Sequence, residues 1–211
     1  MVEERAGKDY YVRGTFTRNN LDFGADVLHL AELGFDQISI EPVVAAKDSG
    51  FDIRKEDLKT VCDEYERLAK EYVNRRKNGK WFNFFHFMID LEGGPCIAKR
   101  LRGCGSGTEY LAVTPEGELY PCHQFVGHKE FMMGNVFDGL NGNPIRESFR
   151  EVNVYTKSQC NSCWAKFYCS GGCAANAWQF NKDIKIPYEI GCELEKKRVE
   201  CALWIKAQEI K

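Results

Sequence analysis

At 211 residues, 44% hydrophobic and 28% charged, the chain has an ordinary globular composition and room for one large domain or two modest ones. Its formal net charge of -2 gives no single-signed field, which excludes a general nucleic-acid binder or an acidic membrane surface as the reading from charge. The opening MVEERAGKDYYVRGTF lacks the apolar core of a secretory signal and no run of about 18 apolar residues follows, so the expected compartment is the cytoplasm.

The first part alternates strand and helix signals. DYYVRGTFT is β-branched and aromatic and is predicted as a strand. NNLDFGADVLHLAELGF is predicted as a helix capped by Asn20, with Val27, Leu28, Leu30, Ala31 and Leu33 as its apolar face and Gly34 ending it. DQISIEPVV reads as a second strand, with Pro42 near its end. A long helix is predicted from about Lys55 to Lys77, with Leu58, Val61, Cys62, Tyr65, Leu68, Ala69 and Tyr72 among its apolar positions. FNFFHFMID reads as strand or buried helix, and periodicity does not choose between them. Alternating βα units imply an α/β fold with a parallel sheet. So few strands would leave open edges, which favours part of a larger barrel over a small exposed sheet.

The second part is built differently. EYLAVTPEGELYPC predicts a hairpin, with Pro115 presetting the turn and Gly117 supplying a positive φ. NPIRESFREV predicts a short helix started at Asn143 with Pro144 in its first position. EIGCELEKKRVECALWIKAQEIK predicts a C-terminal helix with Leu194, Cys201 and Ile205 on one side.

Ten cysteines are the anomaly. A reducing compartment does not keep thiols for disulfides, so a dense pattern points to metal or redox chemistry. The first 95 residues hold only Cys62, and the other nine lie between Cys96 and Cys201. This shift places the expected domain boundary at the Gly-Gly-Pro of DLEGGPC, dividing 1–95 from 96–211. CNSCWAKFYCSGGC carries Cys160, Cys163, Cys169 and Cys173 as C-x2-C-x5-C-x3-C. Zinc prefers two C-x2-C pairs or added histidines, whereas iron–sulfur clusters are held by thiolates alone in the standard case. Gly171 and Gly172 let the backbone approach a bulky cube and aim amide hydrogens at its sulfurs, or simply make a tight turn. Trp164, Phe167 and Tyr168 exclude water from such a centre, or are merely core. Upstream, Cys104 and Cys122 bracket the hairpin as C-x12-G-x4-C, and Cys192 follows Cys173. Seven cysteines, or eight with Cys96, suit two cubes. Cys62 and Cys201 lie in helical patterns and read as structural.

The ordered set C-x12-G-x4-C, gap, C-x2-C-x5-C-x3-C, gap, C resembles the SPASM domain, the auxiliary-cluster module of radical S-adenosylmethionine (SAM) peptide-modifying enzymes. The likeness covers about residues 96 to 192. YYVRGTFTRNN, IEPVV, FFHFMID and GCGSGTEYLAVTPEGELYPCHQFVG look like the maturases of six-cysteines-in-forty-five-residues (SCIFF) peptides, which form thioether bonds between a cysteine sulfur and a backbone α-carbon. The resemblance implies two [4Fe–4S] clusters with interleaved ligands: Cys160, Cys163, Cys169 and Cys192 for an outer one, and Cys104, Cys122 and Cys173 for an inner one. Cys96 is either the fourth inner ligand or a bystander; without it, an open iron would bind the substrate thiolate. The implied fold is the C-terminal part of a partial (β/α)6 radical SAM barrel, then a small α+β SPASM domain with its β-hairpin.

The resemblance also exposes what the sequence lacks. The C-x3-C-x2-C triplet that holds the SAM-cleaving cluster is absent, so the expectation is the C-terminal portion of a larger enzyme, with SAM and a third [4Fe–4S] cluster present only in the complete protein. Val43, at the end of the IEPVV strand, is the implied SAM contact. Arg13 and Glu41 sit near the implied barrel mouth and read more readily as a salt bridge. The implied partners are a cysteine-rich ribosomal precursor peptide, an N-terminal radical SAM half and an electron donor. The alternatives are a stand-alone iron–sulfur electron carrier or partner-binding module, and a structural zinc module.

Overall fold

The computed structural model describes residues 9–91, 93, 94, 96–140 and 143–209. They form two compact units. The first takes the described residues up to 43, then 48–91 and those from 193 on; the second takes 44–47 and those up to 192. Residues 193–209, grouped by sequence with the cysteine-rich part, therefore belong to the first unit.

In the first unit, strands β1 (Val12–Phe16), β2 (Gln37–Pro42) and β3 (Asn83–Phe84) form a parallel sheet in the order β1-β2-β3. Val12 lies opposite Ile38, and Gln37 opposite Asn83. Helices α1 (Phe23–Glu32) and α2 (Leu58–Lys77) make the βα connections that parallel strands require. The observed class is α/β, and no more than these three strands enter that sheet among the described residues. FNFFHFMID forms the two-residue strand β3 and then a 3-10 turn over Phe85–Phe87 with Phe85 exposed, so the strand reading holds for its start and the buried-helix reading does not.

Helix α1 starts later than Asn20. The Asn20 side chain instead accepts from the Thr17 N–H at 2.9 Å and the Thr17 hydroxyl at 3.0 Å, closing a turn before the helix. Asp22 occupies the N-cap position, and Gly34, at φ 89°, follows the helix end as expected. Phe23 and Val27 are the large side chains α1 buries, while Leu33 is exposed.

Helix α2 supplies Val61, Tyr65, Leu68, Ala69 and Tyr72 to the core at the predicted spacing. The Tyr65 ring packs among Phe16, Phe23 and Phe87, with centroids 4.7 to 6.5 Å away. Its hydroxyl has no hydrogen-bond partner among the described residues, and burial pushes its pKa up to about 12. An unfolded tyrosine ionises near 10, so below pH 10 this ionisation costs the fold nothing, and stability falls as pH rises from 10 toward 12 because only the unfolded chain releases the proton readily. Tyr65→Phe removes an unsatisfied buried hydroxyl and is expected to leave the melting temperature unchanged or higher at pH 7. It should also flatten the alkaline loss of stability, which a melting series from pH 8 to about 12 measures.

A polar cluster lies beside this core. Arg13 and Glu41 do form the ion pair, at 3.4 Å, and Glu41 also accepts from the Ser39 hydroxyl at 3.0 Å. Arg198 lies 2.6 Å from Nδ1 of the buried His86 and pairs with Glu195. Arg198 is contributed by α7 (Glu189–Glu209), which buries Leu194, Val199, Cys201, Ala202 and Ile205. Its Lys197 pairs with Glu66 at 2.9 Å. No helix among the described residues is long and apolar enough to cross a membrane.

In the second unit, β4 (Ala112–Val113), β5 (Glu118–Tyr120) and β6 (Gly134–Asn135) form an antiparallel sheet in that order. The expected hairpin is β4–β5: the Gly117 N–H donates to the Thr114 carbonyl at 2.9 Å, and Gly117 has φ 85°. Strand β6 has two residues, one a glycine, too few for an alternating pattern to register. Helix α3 (Pro144–Glu151) is capped as predicted, the Asn143 side chain accepting from the Ile145 and Arg146 N–H groups at 2.9 and 3.2 Å. Short helices α4 (Ser158–Asn161), α5 (Lys166–Cys169) and α6 (Ala174–Asn181) follow. Tyr120, Cys122, Phe125, Phe149, Val152, Ala175 and Ile184 form the core, with Phe131 and Trp178 against it.

Gly134 holds β6 against the following loop. Its φ is 146°, and a Cβ there would stand 2.3 Å from the Gly139 carbonyl oxygen. Backbone cannot yield as a side-chain tip can, so Gly134→Ala is expected to destabilise the second unit by about 2–3 kcal/mol. Chemical denaturation followed by Trp178 fluorescence, with Trp81, Trp164 and Trp204 replaced by Phe, measures it.

Candidate metal centre

All ten cysteines are free thiols, and seven of them gather into two sets in the second unit. Each set draws on distant stretches of chain, and local hydrogen bonding explains how each thiol is delivered.

Cys104, Cys122 and Cys173 form the first set. The Gly105 carbonyl accepts from the N–H groups of Thr108, Glu109 and Tyr110, curling the loop after Cys104. The Gly107 N–H then donates to the Pro121 carbonyl at 2.9 Å, which ties this loop to the residue before Cys122. Gly103 passes so close to the other segment that a Cβ on it would lie 3.2 Å from the Gly172 carbonyl oxygen. That close approach puts Cys104 beside Cys173, which opens α6. Burial pushes the Cys122 thiol up, and the Cys104 thiolate adds to it. Burial also pushes up Cys173, which the surrounding protein desolvates although its residue surface still reaches solvent; the thiolates of Cys104 and Cys122 raise it further. The amide groups of Asn176 and Ala175 work the other way at Cys173, favouring its thiolate.

Cys160, Cys163, Cys169 and Cys192 form the second set. Cys160 lies in α4, and the Cys163 N–H donates to its carbonyl at 3.0 Å, turning both cysteines to one place. Cys169 closes α5, and Cys192 lies in the first turn of α7. Burial pushes the Cys160 thiol up, with a contribution from Cys163. Burial does the same to Cys169, and the thiolates of Cys192 and Cys160 add to it. Amide groups of Gly171 and Gly172 face Cys169 and favour its thiolate.

Two residues that sequence reasoning passed over belong to these sets. The Tyr110 phenol lies against Cys122 and near Cys104 and Cys173; burial and then those thiolates push its pKa up. Lys157 is 3% exposed, and its charge faces Cys160, Cys169, Cys173 and Cys192. Burial pushes its pKa down and the four thiolates oppose that. An aromatic six residues after a cysteine and a lysine three residues before one carry no distinguishing signal.

The other expected site residues are placed as follows. Cys96 is exposed at the start of a 3-10 turn over Ile97–Arg100, and the thiolate charges felt at Cys122 and Cys173 come from the Cys104 set itself. Val43 directly follows β2, its N–H donating to the Phe16 carbonyl at 2.9 Å. Cys62 and Cys201 lie in α2 and α7 of the first unit, and burial pushes Cys201 up to about 12.

The donor set discriminates between kinds of metal group. A tetrahedral zinc bound at about 2.3 Å needs its sulfurs within roughly 4 Å of one another. Among the described residues, no three Cys, His, Asp or Glu side chains converge tightly enough to hold a single ion. A four-iron cube binds each thiolate at a different iron and so holds them farther apart, in keeping with loose all-thiol sets faced by backbone amides. Two all-thiol sets faced by backbone amides fit iron–sulfur clusters.

Fold and site together define a cysteine-rich iron–sulfur type of protein. Comparison with known proteins agrees: residues 104–164 match SPASM, described as an iron-sulfur cluster-binding domain. An uncharacterized protein of Archaeoglobus fulgidus is 30% identical over 145 residues, covering 64% of this chain and 34% of that protein. Among solved structures, polyhistidine-tagged anSMEcpe with bound AdoMet superposes with a TM-score of 0.70 at 17% identity, over 96% of this chain and 55% of that one. Native anSMEcpe with bound AdoMet gives 0.66 at 16% identity, over 96% and 58%. The chain thus spans a little over half the length of these solved proteins and a third of the curated relative.

Proposed function

We propose that this chain is the auxiliary-cluster portion of a radical SAM peptide-modifying enzyme, with two [4Fe–4S] clusters held by its second unit. The observation that carries the reading is the interleaving of the thiols. Cys173 leaves its sequence neighbours and lies with Cys104 and Cys122, while Cys169 lies with Cys192 and Cys160, and Cys160 with Cys163. A chance cluster of cysteines in one loop would have no reason to divide this way.

In this reading Cys160, Cys163, Cys169 and Cys192 hold the outer cluster, and Cys104, Cys122 and Cys173 hold the inner one. When bound, such clusters take up and pass on single electrons, and an iron without a protein ligand also binds a substrate thiolate. The chain's own residues set the surroundings. Amides at Gly171, Gly172, Ala175 and Asn176 favour the thiolates of Cys169 and Cys173. The exposed position of Cys96 favours the bystander role and a fourth inner coordination position left open. Tyr110 lines that inner set, and its position suits a gate over the approach of a peptide cysteine.

The substrate in this proposal is a cysteine-rich ribosomal peptide, and the product carries a thioether from cysteine sulfur to α-carbon. The parallel sheet of the first unit would belong to the C-terminal part of a (β/α)6 barrel, with Val43 at the SAM edge. Anaerobic reconstitution tests the core of the reading. About eight irons and eight sulfides per chain are expected, with brown colour. A colourless protein with about two zincs and no sulfide would replace it with a structural zinc module.

A further inference from the structure

We infer that Lys157 is a positioning residue of the outer iron–sulfur centre: its ammonium pins the Gly171 carbonyl so that the next amide faces Cys169, and its charge favours the reduced cluster. The inference rests on the cluster reading above and assigns a role to a residue outside its ligand set.

The geometry is local and specific. Lys157 Nζ donates to the Gly171 carbonyl oxygen at 2.8 Å in a buried setting. In a trans peptide the carbonyl and the following N–H point in opposite directions, so holding one aims the other. The N–H that follows is that of Gly172, which donates to the Cys169 carbonyl at 3.5 Å and also faces the Cys169 thiol. The segment so held is unusual: Ser170, Gly171 and Gly172 have φ of 61°, 89° and 73°, three left-handed residues in a row between Cys169 and Cys173. A serine in that region is disfavoured on its own and persists where its surroundings hold it. The backbone of Lys157 holds the other side of the same set, its carbonyl accepting from the Cys160 and Asn161 N–H groups at 2.9 and 3.1 Å. One residue thus links the delivery of Cys160 to that of Cys169.

The choice of a lysine follows from charge. A carbonyl can be satisfied by a neutral donor, whereas burying an ammonium is costly unless a negative charge compensates it. Among the described residues no carboxylate lies in ion-pair range of Lys157, which is 3% exposed. The groups it faces are the sulfurs of Cys160, Cys169, Cys173 and Cys192, which carry negative charge when they ligate a cluster. One-electron reduction adds a negative charge to the cluster, so a fixed buried cation beside it favours the reduced form and raises the potential.

The test is a dithionite-and-mediator titration of the anaerobically reconstituted 211-residue chain, followed by electron paramagnetic resonance, in wild type, Lys157→Met, Lys157→Gln and Lys157→Arg. In Lys157→Met the outer cluster's reduced-to-oxidised ratio at fixed potential should fall roughly tenfold, a shift of about 59 mV downward for one electron. Lys157→Gln can donate to the same carbonyl without charge, so it should keep the wild-type line shape while its potential drops. Lys157→Arg should restore both. If Lys157→Met does not assemble the outer cluster, Lys157→Gln and Lys157→Arg carry the comparison alone. Eight irons with unchanged outer potentials in Lys157→Met and Lys157→Gln overturn this inference and leave the cluster reading intact. A wild-type chain that takes up no iron and sulfide overturns both.

Discussion

Cys169→Ala is expected to remove about four of eight irons and leave the inner cluster's spectrum in place, while Cys122→Ala should do the reverse. The expectation follows from how the thiols pair. Cys169 shares its surroundings with Cys160 and Cys192, and Cys122 with Cys104 and Cys173. Removing Cys169 takes from the outer set the thiol that the Gly171 and Gly172 amides face. Removing Cys122 leaves two in a set that starts with three. Iron and sulfide assay together with Mössbauer spectroscopy separates the outcomes. Equal loss from both clusters in both variants would mean that the pairing is wrong, or that the two centres assemble as one. The short Ser170–Gly172 bridge between Cys169 and Cys173 is where such coupling would have to travel.

Stripping the metal should have a comparably large effect on the second unit and little on the first. Among its described residues the second unit has three strands of two or three residues, four short helices and a compact core around Tyr120, Phe125 and Phe149. Its two thiol sets would otherwise be crowded partly desolvated groups, so ligation energy becomes folding energy. The first unit has β1 and β2, the 20-residue α2 and an aromatic core that owes nothing to metal. Amide exchange across 104–192 should therefore quicken roughly a thousandfold in the metal-free chain, about 4 kcal/mol of local stability, with β2 and α2 keeping their protection. Protected amides throughout 104–192 without metal would sink this expectation.

Much of the local structure was legible in the residues. Asn143 and Pro144 announce α3 because a cap and a preset φ act within one turn of helix. Thr114 to Gly117 announce the hairpin for the same reason. Helix α2 is legible because its apolar spacing repeats over five turns. Asn20 misled because its side chain suits a turn as well as a cap, and only the Thr17 groups within reach decide between them.

The sequence by itself determined the inventory: seven thiols at spacings that suit two clusters, two glycines that allow a close approach or a tight turn, and alternating βα units ahead of them. Tertiary structure alone decided that Tyr110 lies among the first set of thiols, that Lys157 faces three thiols of the second and Cys173 of the first, and that residues 193–209 pack with the sheet unit. Spacing and periodicity report interactions within a few residues, where covalent geometry limits the choices. Which distant side chains share one buried, low-dielectric site depends on how separate loops close on each other, and no local pattern records that.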